Sequence, residues 1–109
     1  MTVAEHLNGD TFAGYIQDSA LPVLVDFYRD GCVPCRRVAP LLSKAEAAYE
    51  GKLAVVRVNS VQNVDLAAQY DIQAAPTLVL FDKGVEIARH RGVIDRDGLE
   101  ALIQSAIHD

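Results

Sequence analysis

The sequence predicts an α/β fold with a mixed central β-sheet flanked by helices on both faces. Two almost wholly apolar, β-branched stretches enclose a segment whose apolar residues have helical spacing, which indicates two parallel strands joined by a helix. Two later strand-like stretches are separated only by Asp82-Lys83-Gly84, which indicates an antiparallel hairpin. The chain has 109 residues and 50% of them are apolar, so we expect one domain over residues 1–109.

The N-terminal part is predicted to contribute one short helix. Residues 1–8 are interpreted as either a short first strand or a loose terminus. Asp10 is of the residue type that caps helices, and the spacing after it places Phe12, Tyr15 and Ile16 on an inward face.

A strand, a helix and a second strand follow. Residues 21–28 form an apolar run that is typical of a strand covered on both faces. Residues 34–49 have the apolar spacing of a helix, with a kink expected at Pro40 and an end at Gly51. Residues 53–58 form another buried strand. This order implies parallel pairing and a right-handed crossover.

The remaining elements are a short helix, the hairpin and a last helix. We predict the short helix within residues 59–71, the hairpin strands at 77–81 and 85–91, and the last helix after an N-cap at Asp95. Gly92 ends the second hairpin strand. The residues expected on the buried sides of the two helices are Val64, Leu66, Ala67 and Tyr70 in the first, and Leu99, Leu102, Ile103 and Ala106 or Ile107 in the second.

Charge and hydropathy exclude several classes of function. A formal net charge of −5 argues against general binding of nucleic acid or of membrane surfaces. No apolar stretch approaches the roughly 20 residues of a membrane span, and no signal peptide is visible at the N-terminus. We expect a cytoplasmic monomer that binds neither nucleic acid nor membrane.

The two cysteines of the chain, Cys32 and Cys35, lie where the first buried strand leads into a helix. The unpaired N–H groups and the positive dipole end of a helix N-terminus stabilise a thiolate there. Cys35 lies one helical turn after Cys32, within reach of a disulfide. A C-x-x-C near a βαβ pattern indicates redox chemistry. We therefore predict a dithiol/disulfide switch with an exposed nucleophile, Cys32, and a resolving partner, Cys35.

Two other interpretations of the cysteines stay open at this point. They are two buried structural thiols, or they bind a metal. One C-x-x-C offers two ligands where a closed tetrahedral site needs four, so a metal site would require a dimer that brings two pairs together.

Other polar or special residues have two interpretations each. Asp26 interrupts a buried strand, where an ionised carboxylate is costly. It serves either in proton transfer or in an ion pair with Arg57. Pro76 is either a trans proline at a strand start or a cis proline that opens the backbone to a partner strand. Arg36 and Arg37 are either a solvated helix face or part of a basic patch, with Arg29 before the cysteines, that favours thiolate and selects acidic partners.

The order of elements, together with a set of short motifs, resembles the thioredoxin family over essentially the whole chain. A C-x-P-C six residues after a buried strand aspartate, combined with a Pro-Thr entering a later strand, is far more specific than C-x-x-C alone. The residues that carry the resemblance are Val25-Asp26-Phe27, Cys32-Val33-Pro34-Cys35, Ala75-Pro76-Thr77 and Gly92.

The resemblance implies a thioredoxin fold and a thiol–disulfide oxidoreductase that reduces protein disulfides. Cys32 would attack the substrate disulfide, and Cys35 would then attack Cys32 and release the reduced substrate. Asp26 would lie buried beneath the pair and help to move the proton of Cys35. Arg57 stands where the family usually has a lysine paired with that aspartate, and Pro76 would be a cis proline facing the cysteines.

The resemblance also implies a substrate groove and an electron donor. The backbone of Ala75 would pair with an extended segment of the substrate, and Gly92 would flank the same groove. No bound cofactor is expected, and electrons would come from an external thioredoxin reductase or an equivalent donor. The residues assigned to substrate binding are Gly31, Val33, Pro34, Ala75, Gly92 and Val93.

The sequence departs from the family at positions around the cysteines. Gly31 and Tyr28 stand where the family usually has tryptophan, and Val33 and Ala74 stand where it usually has glycine. Gly31 removes an apolar shield beside the nucleophile, and the stiff Val33 protrudes at the groove.

These departures favour a specialised reductase with its own set of partners. Arg57 cannot lose its proton as a lysine can, so we expect it to hold Asp26 more firmly ionised than a lysine would. The alternatives are a disulfide isomerase or oxidant, a non-catalytic thioredoxin-like binding module, and a dimeric metal-binding protein.

Overall fold

The structure is a computed structural model that describes residues 9–107. The expected short strand or loose terminus at residues 1–8 therefore lies outside the described residues. In chain order the elements are α1 (Gly9–Asp18), β1 (Val23–Tyr28), α2 (Val33–Ala48), β2 (Ala54–Asn59), α3 (Val64–Gln69), β3 (Thr77–Asp82), β4 (Val85–Arg91) and α4 (Arg96–Gln104).

The four strands of the described chain form one mixed sheet in the order β2-β1-β3-β4. β1 and β2 are parallel, with Asp26 opposite Arg57. β3 is antiparallel both to β4 and to β1, where Asp26 lies opposite Leu78. The antiparallel part of the sheet thus extends beyond the predicted hairpin. Apolar patterning reports that a strand is buried but not the direction of its neighbour, which is why the sequence did not predict the β1–β3 pairing.

Helices cover both faces of the sheet, as predicted. Successive side chains of a strand point to opposite faces, so each strand contributes to two separate clusters. The first face is packed against α2 and α4 through Leu24, Leu42, Leu78, Leu80 and Ile103, among others. The second face is packed against α1 and α3 through Phe12, Ile16, Val25, Phe27, Leu66, Val79 and Phe81, among others.

The helices mostly follow the sequence signals, with one correction to a helix start and one to a buried residue. The Asp95 carboxylate accepts a hydrogen bond from the Gly98 N–H at 2.7 Å, which confirms the N-cap of α4. Asp10, in contrast, lies inside α1, because the helix already includes Gly9. Val64 is 64% exposed rather than buried, because α3 has only six residues and buries a single narrow face, formed by Leu66 and Ala67.

No helix within residues 9–107 combines the length and the apolar character that a membrane crossing requires.

Candidate active site

The cysteines lie at the start of α2. Cys32 is the N-cap residue, with an extended backbone, and the helix begins at Val33 and Pro34. Cys32 and Cys35 form a disulfide, with their Cα atoms 5.2 Å apart. The Cys35 backbone N–H points at Cys32 Sγ over 3.2 Å. In the reduced protein the same N–H and the positive end of the helix dipole stabilise a thiolate on Cys32.

Cys32 is less exposed than the sequence predicts. Its relative exposure is 5%, against 2% for Cys35. The reason is the segment before β3, since the Ala75 carbonyl oxygen lies 3.5 Å from Cys32 Sγ. In the disulfide state this is a contact with a sulfur that carries no proton, whereas a Cys32 thiol has the geometry to donate to that oxygen.

The segment around Pro76 connects the cysteines to the loop after β4. The Ala75–Pro76 peptide bond is cis. The Gly92 N–H donates to the Pro76 carbonyl oxygen at 2.8 Å, and Gly92 has a φ of 84°, a conformation that favours glycine. This hydrogen bond holds Gly92 and the strongly exposed Val93 beside the start of β3. The structure therefore connects Cys32, Ala75, Pro76 and Gly92 through direct contacts.

A buried Asp26 and a partly exposed Arg57 form an ion pair on the sheet face that α2 covers. Asp26 is fully buried, and its Oδ2 accepts a hydrogen bond from Arg57 Nε at 3.0 Å. Oδ1 is also buried but has no hydrogen-bond partner among the described residues. Asp26 shares its face with Leu24, two residues earlier on β1, whose cluster includes Val38 and Leu42 of α2.

Burial outweighs the arginine in setting the protonation of Asp26. Burial raises the pKa of Asp26 from its ordinary 3.8 to about 6, although the charge and the hydrogen bond of Arg57 both lower it. Arg57 therefore favours the ionised carboxylate but does not offset the cost of burying it, and whether it does so more firmly than a lysine stays a prediction. The sequence shows which partner the aspartate has but not how completely water is excluded from it.

Tyr28 holds the arginine from its other side. The Arg57 guanidinium carbon lies 4.0 Å from the centroid of the Tyr28 ring, in cation–π geometry. Arg57 thus lies between an anion and an aromatic ring. Tyr28, which stands where the family usually has tryptophan, is therefore connected to Asp26 through Arg57.

Sequence reasoning missed Asn59, which organises the loop after β2. Asn59 is buried, and its Oδ1 accepts hydrogen bonds from the Val61 and Gln62 N–H groups at 3.0 and 3.2 Å. Its Nδ2 donates to Asp30 Oδ2 at 3.4 Å, which connects this loop to the one that leads to Cys32. An asparagine at the end of a buried strand is the available signal, because its side chain caps turns.

Comparison with known proteins agrees with this geometry. The family model described as Thioredoxin matches residues 3–105. Thioredoxin 1 of Nostoc sp. is 38% identical over 104 residues, which cover 95% of this chain and 97% of that protein. The thioredoxin of Synechocystis sp. is 36% identical with the same coverage, and that of Pseudomonas aeruginosa is 34% identical over 96% of this chain and all of its own length. The chain belongs to the thioredoxin family.

As a thioredoxin with a paired Cys32 and Cys35, the protein is a thiol–disulfide oxidoreductase that reduces protein disulfides. Within residues 9–107 no group of three or more His, Cys, Asp or Glu side chains is arranged to hold a metal ion. The disulfide geometry and the family both support the redox interpretation of the cysteines.

Gly31, which stands where the family usually has tryptophan, has a backbone conformation that suits glycine. Its φ is 72°, in the left-handed region, and no heavy atom lies within 4 Å of the position that a Cβ would occupy. Space for a side chain is present, but the conformation disfavours one.

Proposed function

We propose that this thioredoxin carries electrons from an external thioredoxin reductase, or an equivalent donor, to disulfides of cytoplasmic proteins. The observation that supports it most strongly is the position of Cys32 at the N-cap of α2, with the Cys35 N–H 3.2 Å from its sulfur. That arrangement stabilises the thiolate, which is the form that attacks a disulfide. Disulfide reduction also suits a compartment in which thiols are kept reduced.

The first step is attack on the substrate. The Cys32 thiolate forms a bond to one sulfur of the substrate disulfide, the substrate S–S bond breaks, and the other substrate sulfur leaves as a thiolate. The product is a mixed disulfide between Cys32 and the substrate. At this stage the transfer of two electrons from the cysteine pair to the substrate is not yet complete.

The second step is resolution by Cys35. Its thiol loses a proton and attacks Cys32 Sγ, which forms the Cys32–Cys35 disulfide, breaks the mixed disulfide and releases the second substrate thiolate. Two electrons have then passed to the substrate. In our proposal Asp26 accepts the proton of Cys35, which is consistent with its place on the face covered by α2 and with its pKa of about 6, close to working pH. Arg57 positions that carboxylate.

The substrate groove in this proposal surrounds the cysteines. Gly31 and Pro34 leave the approach to Cys32 open, and the backbone of Ala75, beside Pro76, pairs with an extended segment of the substrate. Val33 and Val93 are 47% and 67% exposed, and supply apolar contacts on either side of that segment. Gly92 lines the groove between them.

Two cysteine variants test the exchange mechanism. With Cys35→Ser, the reduced protein should form a stable mixed disulfide with oxidised insulin or another disulfide protein, because the resolving thiol is missing. With Cys32→Ser, no adduct and no turnover should appear. The readout is a non-reducing gel with mass spectrometry of the adduct. An adduct through Cys35 in the Cys32→Ser protein, or equal turnover by both variants and the wild type, would contradict the assignment.

The direction of electron flow has its own measurement. The Cys32–Cys35 pair is equilibrated against a glutathione or reference-thioredoxin buffer and scored by thiol labelling. A potential near about −270 mV supports the reductase, whereas one near about −180 mV or above supports an isomerase or oxidant. The same sample run on a sizing column tests whether residues 1–109 act as a monomeric single domain, which is part of the proposal.

A further inference from the structure

A pocket lies beside the active site and shares Ala75 with it. It has a volume of about 160 Å³ and is lined by Arg29 after β1, Ser60 and Val61 after β2, and residues 72–75 before β3. Ala75 belongs both to this pocket and to the active site, since its carbonyl oxygen contacts Cys32 Sγ at 3.5 Å. An engineered protein cavity of about 150 Å³ holds a benzene molecule, so this volume accommodates one side chain.

Two of the three polar side chains that line the pocket already have hydrogen bonds within the protein. The Ser60 hydroxyl donates to the Tyr28 carbonyl oxygen at 2.9 Å, and Gln73 Nε2 donates to Asp71 Oδ1 at 2.7 Å. Arg29, in contrast, has no ion pair or hydrogen bond with any residue in the described part of the chain. The pocket therefore offers one uncommitted guanidinium.

No acidic residue in the described part of the chain forms an ion pair with this arginine. None of the seven lining residues is acidic. Asp30, its neighbour in sequence, accepts from Asn59 Nδ2 at 3.4 Å, and Asp71 has Gln73 on one oxygen and Arg91 Nη2 at 3.9 Å from the other. A free guanidinium at a small pocket matches a carboxylate, which it binds through two parallel hydrogen bonds.

We propose that this pocket binds an aspartate or glutamate side chain of the substrate, close to the disulfide that Cys32 attacks, and that Arg29 selects it. This inference rests on the proposed function, because the ligand is a residue of the protein whose disulfide is reduced. It assigns the acidic preference to Arg29 rather than to the whole basic patch around the cysteines. The contact speeds the first step by orienting the substrate segment along Ala75.

The test uses synthetic peptides that contain one intramolecular disulfide. Each peptide carries Glu, Gln or Lys at one of the two residues before or after the attacked cysteine. Pre-reduced protein is mixed with each peptide in a single turnover, and the second-order rate constant is measured by acid quenching and thiol counting. At low salt the best-placed Glu peptide should react about fivefold faster than its Lys partner, the size expected of a mostly exposed ion pair, and salt should reduce the ratio.

Three variants separate the pocket from the general field. Arg29→Gln should bring the Glu/Lys ratio close to one, and Arg29→Glu should invert it. Arg37→Gln removes another exposed charge that follows the cysteines but lies outside the pocket, and should keep the ratio. A wild-type ratio of one, or an equal loss of ratio in the Arg29 and Arg37 variants, overturns the inference while leaving disulfide reduction intact. Failure of the wild type to reduce any peptide would instead contradict the proposed function.

Discussion

The two faces of the sheet are built from the same strands but differ in what they contain. On β1, Val25 and Phe27 point into the face covered by α1 and α3, while Asp26 points into the face covered by α2 and α4. The first of these, the aromatic face, centres on Phe12, whose ring lies 5.4 to 6.0 Å from the rings of Phe27, Tyr70 and Phe81. The second, the redox face, has the buried carboxylate of Asp26, one oxygen of which lacks a hydrogen-bond partner among the described residues.

This difference separates stability from function within a small domain. The aromatic face gains free energy from every buried side chain. The redox face gives up one core position to Asp26, whose ionised form is disfavoured there by about 3 kcal/mol, judged from a pKa raised from 3.8 to about 6. Replacing a side chain on the aromatic face should therefore lower stability, whereas replacing Asp26 should raise it.

The largest expected effect is that of Phe12→Ala. Removing a fully buried ring with three aromatic neighbours should lower the free energy of unfolding by about 3–5 kcal/mol, measured by urea denaturation. Disulfide reduction, measured at a temperature where the variant is still folded, should keep its wild-type rate. The control Val85→Ala, at a 63% exposed position of β4, should change stability by less than about 0.5 kcal/mol. A large loss of activity in folded Phe12→Ala would show that the two faces are not separable.

The next effect in size, with the opposite sign, is that of Asp26→Asn. At pH 7.5 this variant should be more stable than the wild type by about 3 kcal/mol, because the cost of a buried anion disappears while the shape is kept. The step in which Cys35 resolves the mixed disulfide should be slower, because the proposed proton acceptor is lost. Asp82→Asn, at an exposed position, serves as the charge-matched control and should leave both quantities unchanged.

The pH dependence of stability checks the sign of this effect. Because the folded protein holds the Asp26 proton more tightly than the unfolded chain does, the contribution of Asp26 to the free energy of unfolding falls as pH rises from about 3.8 to about 6. The contribution is complete below this window and lost above it. Wild type and Asp26→Asn should therefore be equally stable near pH 3.5 and diverge toward pH 7.5. Parallel stability curves for the two proteins would contradict the raised pKa.

Much of this organisation is readable from the sequence, because it depends on periodicity and on short-range chemistry. The uninterrupted apolar run of β1 reports a strand buried on both sides, and Asp26 is conspicuous within it. A C-x-P-C at the start of an amphipathic stretch places a thiol at a helix N-terminus. The family resemblance then supplied the cis geometry at Pro76, which the structure has.

The remaining features depend on three-dimensional balance and are not encoded in any local pattern. The pKa of Asp26 is set by competition between burial, which raises it, and Arg57, which lowers it. The identities of the two residues do not show which effect is larger. The pocket at Arg29 is assembled from three segments that are distant in the chain. Val64 has an apolar residue type but lies at the outer start of a helix too short to bury it.

The smallest expected effect compares two glycines, one on each side of the sheet. Gly31 leads into the redox site with a φ of 72°, and Gly14 lies exposed within α1, which covers the aromatic face. Both have free space where a Cβ would be placed, so only backbone conformation distinguishes them.

The same substitution should therefore have opposite signs at these two positions. Gly31→Ala should lower the free energy of unfolding by about 1–2 kcal/mol, since a left-handed conformation disfavours a Cβ. Gly14→Ala should raise it by about 0.5–1 kcal/mol, since alanine favours a helix interior. Gly31→Asn should lose less than Gly31→Ala, because asparagine tolerates that conformation. If Gly31→Ala were stabilising in urea denaturation, Gly31 would not be held in the left-handed conformation. Asp26 would then be the one residue of this comparison that lowers stability on the redox face.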